Sequence, residues 1–99
     1  AYDSLKEAIV GPQKHKIFLV EYEQLTKNTE QTMRSLYNFI GEEYYNHDFN
    51  NVNCSYDEYD DDAGIKGLHT IRKEVKYMPR QPIIPPDIWN EFSGLEVWR

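Results

Sequence analysis

Cysteine is nearly absent from this chain. Cys54 is the only one, which excludes an internal disulfide and a zinc site built from several thiolates. A single thiol fits a reducing, cytoplasmic setting. No apolar run approaches the roughly 20 residues of a membrane-spanning helix, and no N-terminal stretch has the pattern of a signal peptide. Bases are in the minority, 11 Lys and Arg against 17 Asp and Glu. The resulting net charge of -6 argues against nucleic acid as a partner, since phosphate contacts need an excess of cations. The phosphate-loop pattern Gly-x-x-x-x-Gly-Lys-Ser/Thr and the Gly-x-Gly-x-x-Gly fingerprint are both missing, so the main cradle of any phosphate or sulfate chemistry lies elsewhere. His15, His47 and His69 stand at no metal-ligand spacing, and no metal is expected. One cysteine with three histidines permits a thiol nucleophile only in the sense that any such chain would.

What is present is organised around residues 15–41. Ile17, Phe18, Leu19 and Val20 form an unbroken apolar run. Alternation would mark a half-exposed strand, whereas an unbroken run predicts a strand covered on both faces, as inside a parallel sheet. The helix after it has a clear signature. Asn28 and Gln31 make a capping-box pattern, and Met33, Leu36, Tyr37 and Ile40 form one apolar stripe. Gly41 stands where a left-handed terminator is wanted. No second strand of this kind is legible, so partner strands are expected from upstream residues or from another chain. Residues 1–99 are accordingly read as a single partial domain, the C-terminal piece of a larger α/β protein.

The remaining elements are plainer. Tyr2, Leu5, Ala8 and Ile9 share a face of a first helix that Gly11 and Pro12 end. Residues 42–62 carry eight acids and no Lys or Arg. They are expected to be an irregular segment with at most a short turn of helix, draped on the core by Tyr44, Tyr45, Phe49, Val52 and Tyr56. Residues 63–86 reverse the sign, with Lys66, Arg72, Lys73, Lys76 and Arg80 against Glu74 alone. Pro79, Pro82, Pro85 and Pro86 predict an extended stretch, then a helix from Pro86 or Asp87 that buries Ile88, Trp89 and Phe92, with Trp98 packing back.

Two features bear on chemistry. The acidic run at residues 57–62 fails as a calcium loop: with Gly64 in the sixth position, Tyr59, Ala63 and Thr70 fall where ligands are required. The run reads as a solvated acidic loop. The basic segment is the better lead, because Arg72 and Lys73 follow Gly64 and Gly67. Flexible backbone N–H groups and charged side chains can together clamp a small anion, although such a loop can equally balance the neighbouring acids. Tyr22 is similarly double-edged. At the carboxyl end of a buried strand it can lie against a planar base or simply close the core.

Four blocks, in order, resemble sulfotransferases that use 3′-phosphoadenosine 5′-phosphosulfate, in particular bacterial-type members. They are Val20-Glu21-Tyr22-Glu23-Gln24-Leu25 with Thr32, Leu36 and Phe39-Ile40-Gly41, then His47-Asp48-Phe49-Asn50-Asn51-Val52. Gly67-Leu68-His69-Thr70-Ile71-Arg72 and Arg80-Gln81-Pro82-Ile83-Ile84-Pro85-Pro86-Asp87 complete the set. The resemblance implies the C-terminal part of a P-loop-like three-layer αβα fold, mostly helix and loop in this piece, with one buried parallel strand at about residues 16–22. It implies Tyr22 at the adenine and the segment 67–73 at the 3′-phosphate, with Gly67, His69, Arg72 and Lys73 as cofactor-binding residues. Two departures stand out. Lys73 is followed by Glu74 where the family has glycine, and Gln24 replaces the usual Asp.

The family's sulfate-binding loop and catalytic base have no counterpart here, so no catalytic residue is assigned and these residues alone are expected to be inactive. The implied co-substrate is 3′-phosphoadenosine 5′-phosphosulfate and the implied partner a small hydroxyl or amine acceptor. Nucleic acid, membrane and metal are expected to play no part, and a homodimer or a missing N-terminal segment of the same chain would complete the sheet. The competing expectation is a small non-enzymatic α/β interaction domain that completes its sheet by self-association or with a partner.

Overall fold

The structure, a computed structural model, describes residues 1–54 and 57–96. Its elements in order are α1 (Tyr2–Val10), a single 3-10 turn (Lys14–Lys16), α2 (Tyr22–Lys27), α3 (Thr29–Ile40), α4 (Asp57–Asp62) and α5 (Pro86–Phe92). The chain divides into two units. One is Ala1–Glu21 together with the described residues from Met78 on, and the other is Tyr22–Tyr77.

No strand occurs among the described residues. This overturns the expected α/β, P-loop-like architecture and its buried parallel strand at residues 16–22. The apolar run does leave the 3-10 turn in extended conformation, with Ile17 at φ -111° and ψ 127°. The Ile17 N–H closes that turn on the Lys14 carbonyl instead of joining a ladder. Leu19 and Val20 are 45% and 41% exposed. The physical reason is that an apolar, β-branched run favours extended backbone, but a strand also needs a second row of N–H and C=O groups. The described residues offer no such row. Tyr22, expected at a strand's end, is instead the first residue of α2.

In the first unit α1 has the predicted bounds and stops at Gly11, which is extended. Proline at the first helical position starts α5, where the Trp89 N–H reaches the Pro85 carbonyl at 2.9 Å. Tyr2 and Leu5 of α1 line an open cleft with Ile84, Trp89, Phe92 and Leu95. Ile88, Trp89 and Phe92, expected to be buried, are exposed. The expected packing of Trp98 and of Tyr56 lies outside the described residues.

The second unit is built on the α2–α3 hairpin. Asn28 precedes α3, but its side chain makes no cap; its Nδ2 donates back to Gln24 Oε1 at 3.1 Å. Thr32 Oγ1 reaches the Gln24 carbonyl at 3.1 Å, so the two helices are tied by polar groups across their turn. Met33, Leu36 and Tyr37 are half-buried as the stripe predicts, while Ile40 is exposed. Gly41 takes the left-handed φ of 75°, and its N–H and that of Glu42 donate to the Asn38 and Tyr37 carbonyls in the last turn of α3.

Residues 42–49 then lay aromatic rings on α3. Tyr44 meets Tyr37 edge-on at 5.3 Å, and the Tyr37 hydroxyl lies 3.0 Å from His47 Nε2. Phe49 stacks on His47 at 5.7 Å. Arg34, paired with Glu30, sits 4.0 Å over the Tyr44 ring. Rings and cations therefore carry much of the packing here, because no described hydrophobic residue is buried.

Candidate functional site

The basic segment is placed by the end of α4. The Ala63 and Ile65 N–H groups close on the carbonyls of Tyr59 and Asp60, and Gly64 turns the chain at φ 72°. A second tight turn follows, in which the Thr70 N–H and Oγ1 both donate to the Gly67 carbonyl, at 3.3 and 3.0 Å. Gly67 is left-handed at φ 73°, and a Cβ there would lie 3.1 Å from Thr70 Oγ1, so glycine is favoured twice over.

These turns bring His69 back to Asp60. The His69 N–H donates to Asp60 Oδ2 at 2.9 Å, and His69 Nδ1 lies 2.6 Å from Asp60 Oδ1. At 3% exposure Asp60 is the only buried residue among those described. The backbone N–H of His69 and then its imidazole hold the Asp60 carboxyl below its ordinary range; the Leu68 N–H adds to this, and burial opposes it. The Tyr59 ring stands edge-on to His69 at 5.1 Å. The loop read as an anion cradle thus directs at least part of its N–H groups to a carboxylate of this same chain.

The other side of the segment is also fixed. The Val52 N–H donates to the Lys73 carbonyl and the Val75 N–H to the Phe49 carbonyl, both at 2.8 Å. Arg72 lies between the His69–Asp60 clasp and these attachments, Lys73 carries the first of them, and both residues are exposed. Tyr22 belongs to another cluster. Its ring is 5.8 Å from that of Tyr77 at an interplanar angle of 42°. Lys27 Nζ lies 4.4 Å over the Tyr77 ring and bonds to Glu23 one helical turn back. That bond, reinforced by the charges of Glu23 and Tyr77 against desolvation, raises the Lys27 pKa above its ordinary value.

Of the residues singled out from sequence, Gly67 and His69 shape the turn and clasp Asp60, Arg72 and Lys73 face solvent just beyond it, and Tyr22 pairs with Tyr77. Asp60, Tyr77 and Lys27 were not foreseen. The Glu23–Lys27 spacing is a readable helical signal, but nothing distinguishes Asp60 from its acidic neighbours in sequence. Among the described residues no group of three or more His, Cys, Asp or Glu is arranged to hold a metal ion. None of the described helices is long and apolar enough to cross a membrane. No protein family, no curated protein and no solved structure matches this chain.

Proposed function

We propose that this chain supplies part of the nucleotide hold of a cytoplasmic sulfotransferase that uses 3′-phosphoadenosine 5′-phosphosulfate. The observation that carries this is the pinned basic segment. Arg72 and Lys73 are exposed on backbone attached to Asp60 through His69 on one side and to residues 49–52 on the other. A cation presented on fixed backbone loses less freedom on meeting a phosphate than one on a loose loop. The four ordered sequence blocks are the second support. The sheet is not a support, since the described residues form none.

In the whole reaction an acceptor oxygen or nitrogen attacks sulfur in line. The S–O bond to the 5′-phosphate breaks, and adenosine 3′,5′-bisphosphate leaves with that bond's electron pair. The acceptor's proton passes to a base, for which no residue of this chain is assigned. The part of these residues is positional: Tyr22 at the adenine, Arg72 and Lys73 at the 3′-phosphate, with charge neutralised where the leaving group is held.

Calorimetric titration with adenosine 3′,5′-bisphosphate tests this. Micromolar binding is expected, weakened about tenfold by either Arg72→Ala or Lys73→Ala. Binding that ignores both substitutions would remove the phosphate assignment, and no binding at all would remove the nucleotide.

A second function is favoured by one specific observation, the open cleft bearing Tyr2, Leu5, Trp89 and Phe92 with no buried hydrophobic residue described anywhere. A small interaction module that pairs with itself would cover that surface. Sedimentation that shifts with concentration, together with indifference to the nucleotide, would favour it.

A further inference from the structure

The corner formed by Tyr22 and Tyr77 is the feature the proposed phosphate contacts leave unexplained. Tyr22 is 55% exposed. With centroids 5.8 Å apart and planes at 42°, the two rings leave no slot between them, because a base sandwiched between parallel rings needs them about 7 Å apart, twice a stacking distance. Tyr22, more than half exposed, leaves surface on which a planar group can lie with the tilted Tyr77 ring beside it. The Lys27 ammonium over Tyr77 is tied to Glu23, so the Tyr77 ring is held from a second helix position as well as by Tyr22.

Sequence connects this corner to the cations. Arg72, Lys73 and Tyr77 lie on one short run of chain, and residues 75–80 have no helical turn. Three residues separate Lys73 from Tyr77 and the chain bends at Lys73 and Glu74, so the four steps between their Cα atoms span at most about 13 Å. That is a distance the arms of a lysine or arginine and a tyrosine can close around a single nucleotide. An aromatic corner at one end of such a run and two exposed cations at the other suit a planar base that carries an anionic group.

We infer that Tyr77 is a base-binding residue: with Tyr22 it forms the corner that receives the adenine ring, while Arg72 and Lys73 on the same run meet the phosphate. This rests on the nucleotide-binding function proposed above and extends it to a residue that the sequence blocks do not contain.

The test compares two probes on the full chain, adenosine 3′,5′-bisphosphate and inorganic pyrophosphate, which has anionic groups but no base. Tyr77→Phe keeps the ring and is expected to hold nucleotide affinity within about twofold. Tyr77→Leu keeps apolar bulk without an aromatic face and is expected to lose about tenfold, as removal of a stacking partner does. Pyrophosphate affinity should be the same in both variants as in the parent chain. Equal losses for nucleotide and pyrophosphate in Tyr77→Leu would make Tyr77 a packing residue and overturn the inference, as would undiminished nucleotide binding. Loss of nucleotide binding in Arg72→Ala with none in Tyr77→Leu would overturn this inference alone. A parent chain that binds neither probe overturns it together with the function it rests on.

Discussion

His69 gives one carboxylate two hydrogen bonds, its backbone N–H to Asp60 Oδ2 at 2.9 Å and its Nδ1 to Asp60 Oδ1 at 2.6 Å. A residue inside an acidic run thereby becomes the anchor of the basic segment that follows. The carboxylate keeps its charge because the loop turns N–H groups toward it.

That anchor makes stability depend on acid. The folded-state pKa of Asp60 is depressed, chiefly by the His69 N–H and imidazole. Its contribution is therefore fully present above the ordinary carboxylate range, about pH 4 and higher, and is lost as pH falls through the lowered folded value. Thermal midpoints followed from pH 7 to pH 2 should fall on the acid side. Asp60→Asn should lower the midpoint at pH 7 and flatten the acid-side fall. An unchanged acid limb in Asp60→Asn would show that other carboxylates set it.

Gly41 gives a backbone test free of packing effects. Its φ is 75°, and a Cβ there would meet nothing within 4 Å. Gly41→Ala should cost about 1 kcal/mol, from the left-handed conformation alone. Gly41→Asn should cost less, because asparagine visits that region more readily. Urea unfolding of the three proteins gives the order; equal stability of Gly41→Ala and the parent chain would mean that the turn re-forms differently.

Arg34 joins Glu30 to the Tyr44 ring. Truncation to alanine removes an exposed i,i+4 pair and an exposed cation–π contact, together about 1 kcal/mol. Arg34→Lys should recover part of this and Arg34→Gln little. The cycle with Glu30→Ala separates the two contributions.

Much of the helical content is legible in the sequence. Tyr2, Leu5, Ala8 and Ile9 repeat with a helical period, as do Met33, Leu36 and Tyr37, and proline and glycine mark the start of α5 and the end of α3. Such signals are local, so they survive whatever the rest of the chain does. The strand at residues 16–22 was a different kind of inference. Its apolar run says that the side chains favour cover, but a ladder depends on partners that the run itself does not encode. Asn28 shows a similar limit: a capping residue stands at the right place, yet Gln24 offers its amide an alternative acceptor.

In the candidate site, the basic character of residues 66–80 was visible, while the attachments that fix it were not. The pairing of Asp60 with His69, of Val52 with Lys73 and of Tyr22 with Tyr77 each needs the chain to return on itself through turns at Gly64 and Gly67. Turn residues advertise that the chain bends, but not where it arrives.

The claim on which the functional account depends is that Arg72 and Lys73 meet a 3′-phosphate. Its most direct test is the ratio of affinities for adenosine 3′,5′-bisphosphate and adenosine 5′-monophosphate, measured by calorimetry for the parent chain and for Arg72→Ala/Lys73→Ala, both shown folded by circular dichroism. The account predicts a preference of about tenfold or more for the bisphosphate in the parent chain, and a ratio near one in the double variant. No preference in the parent chain, or a preference that survives the double substitution, would contradict it.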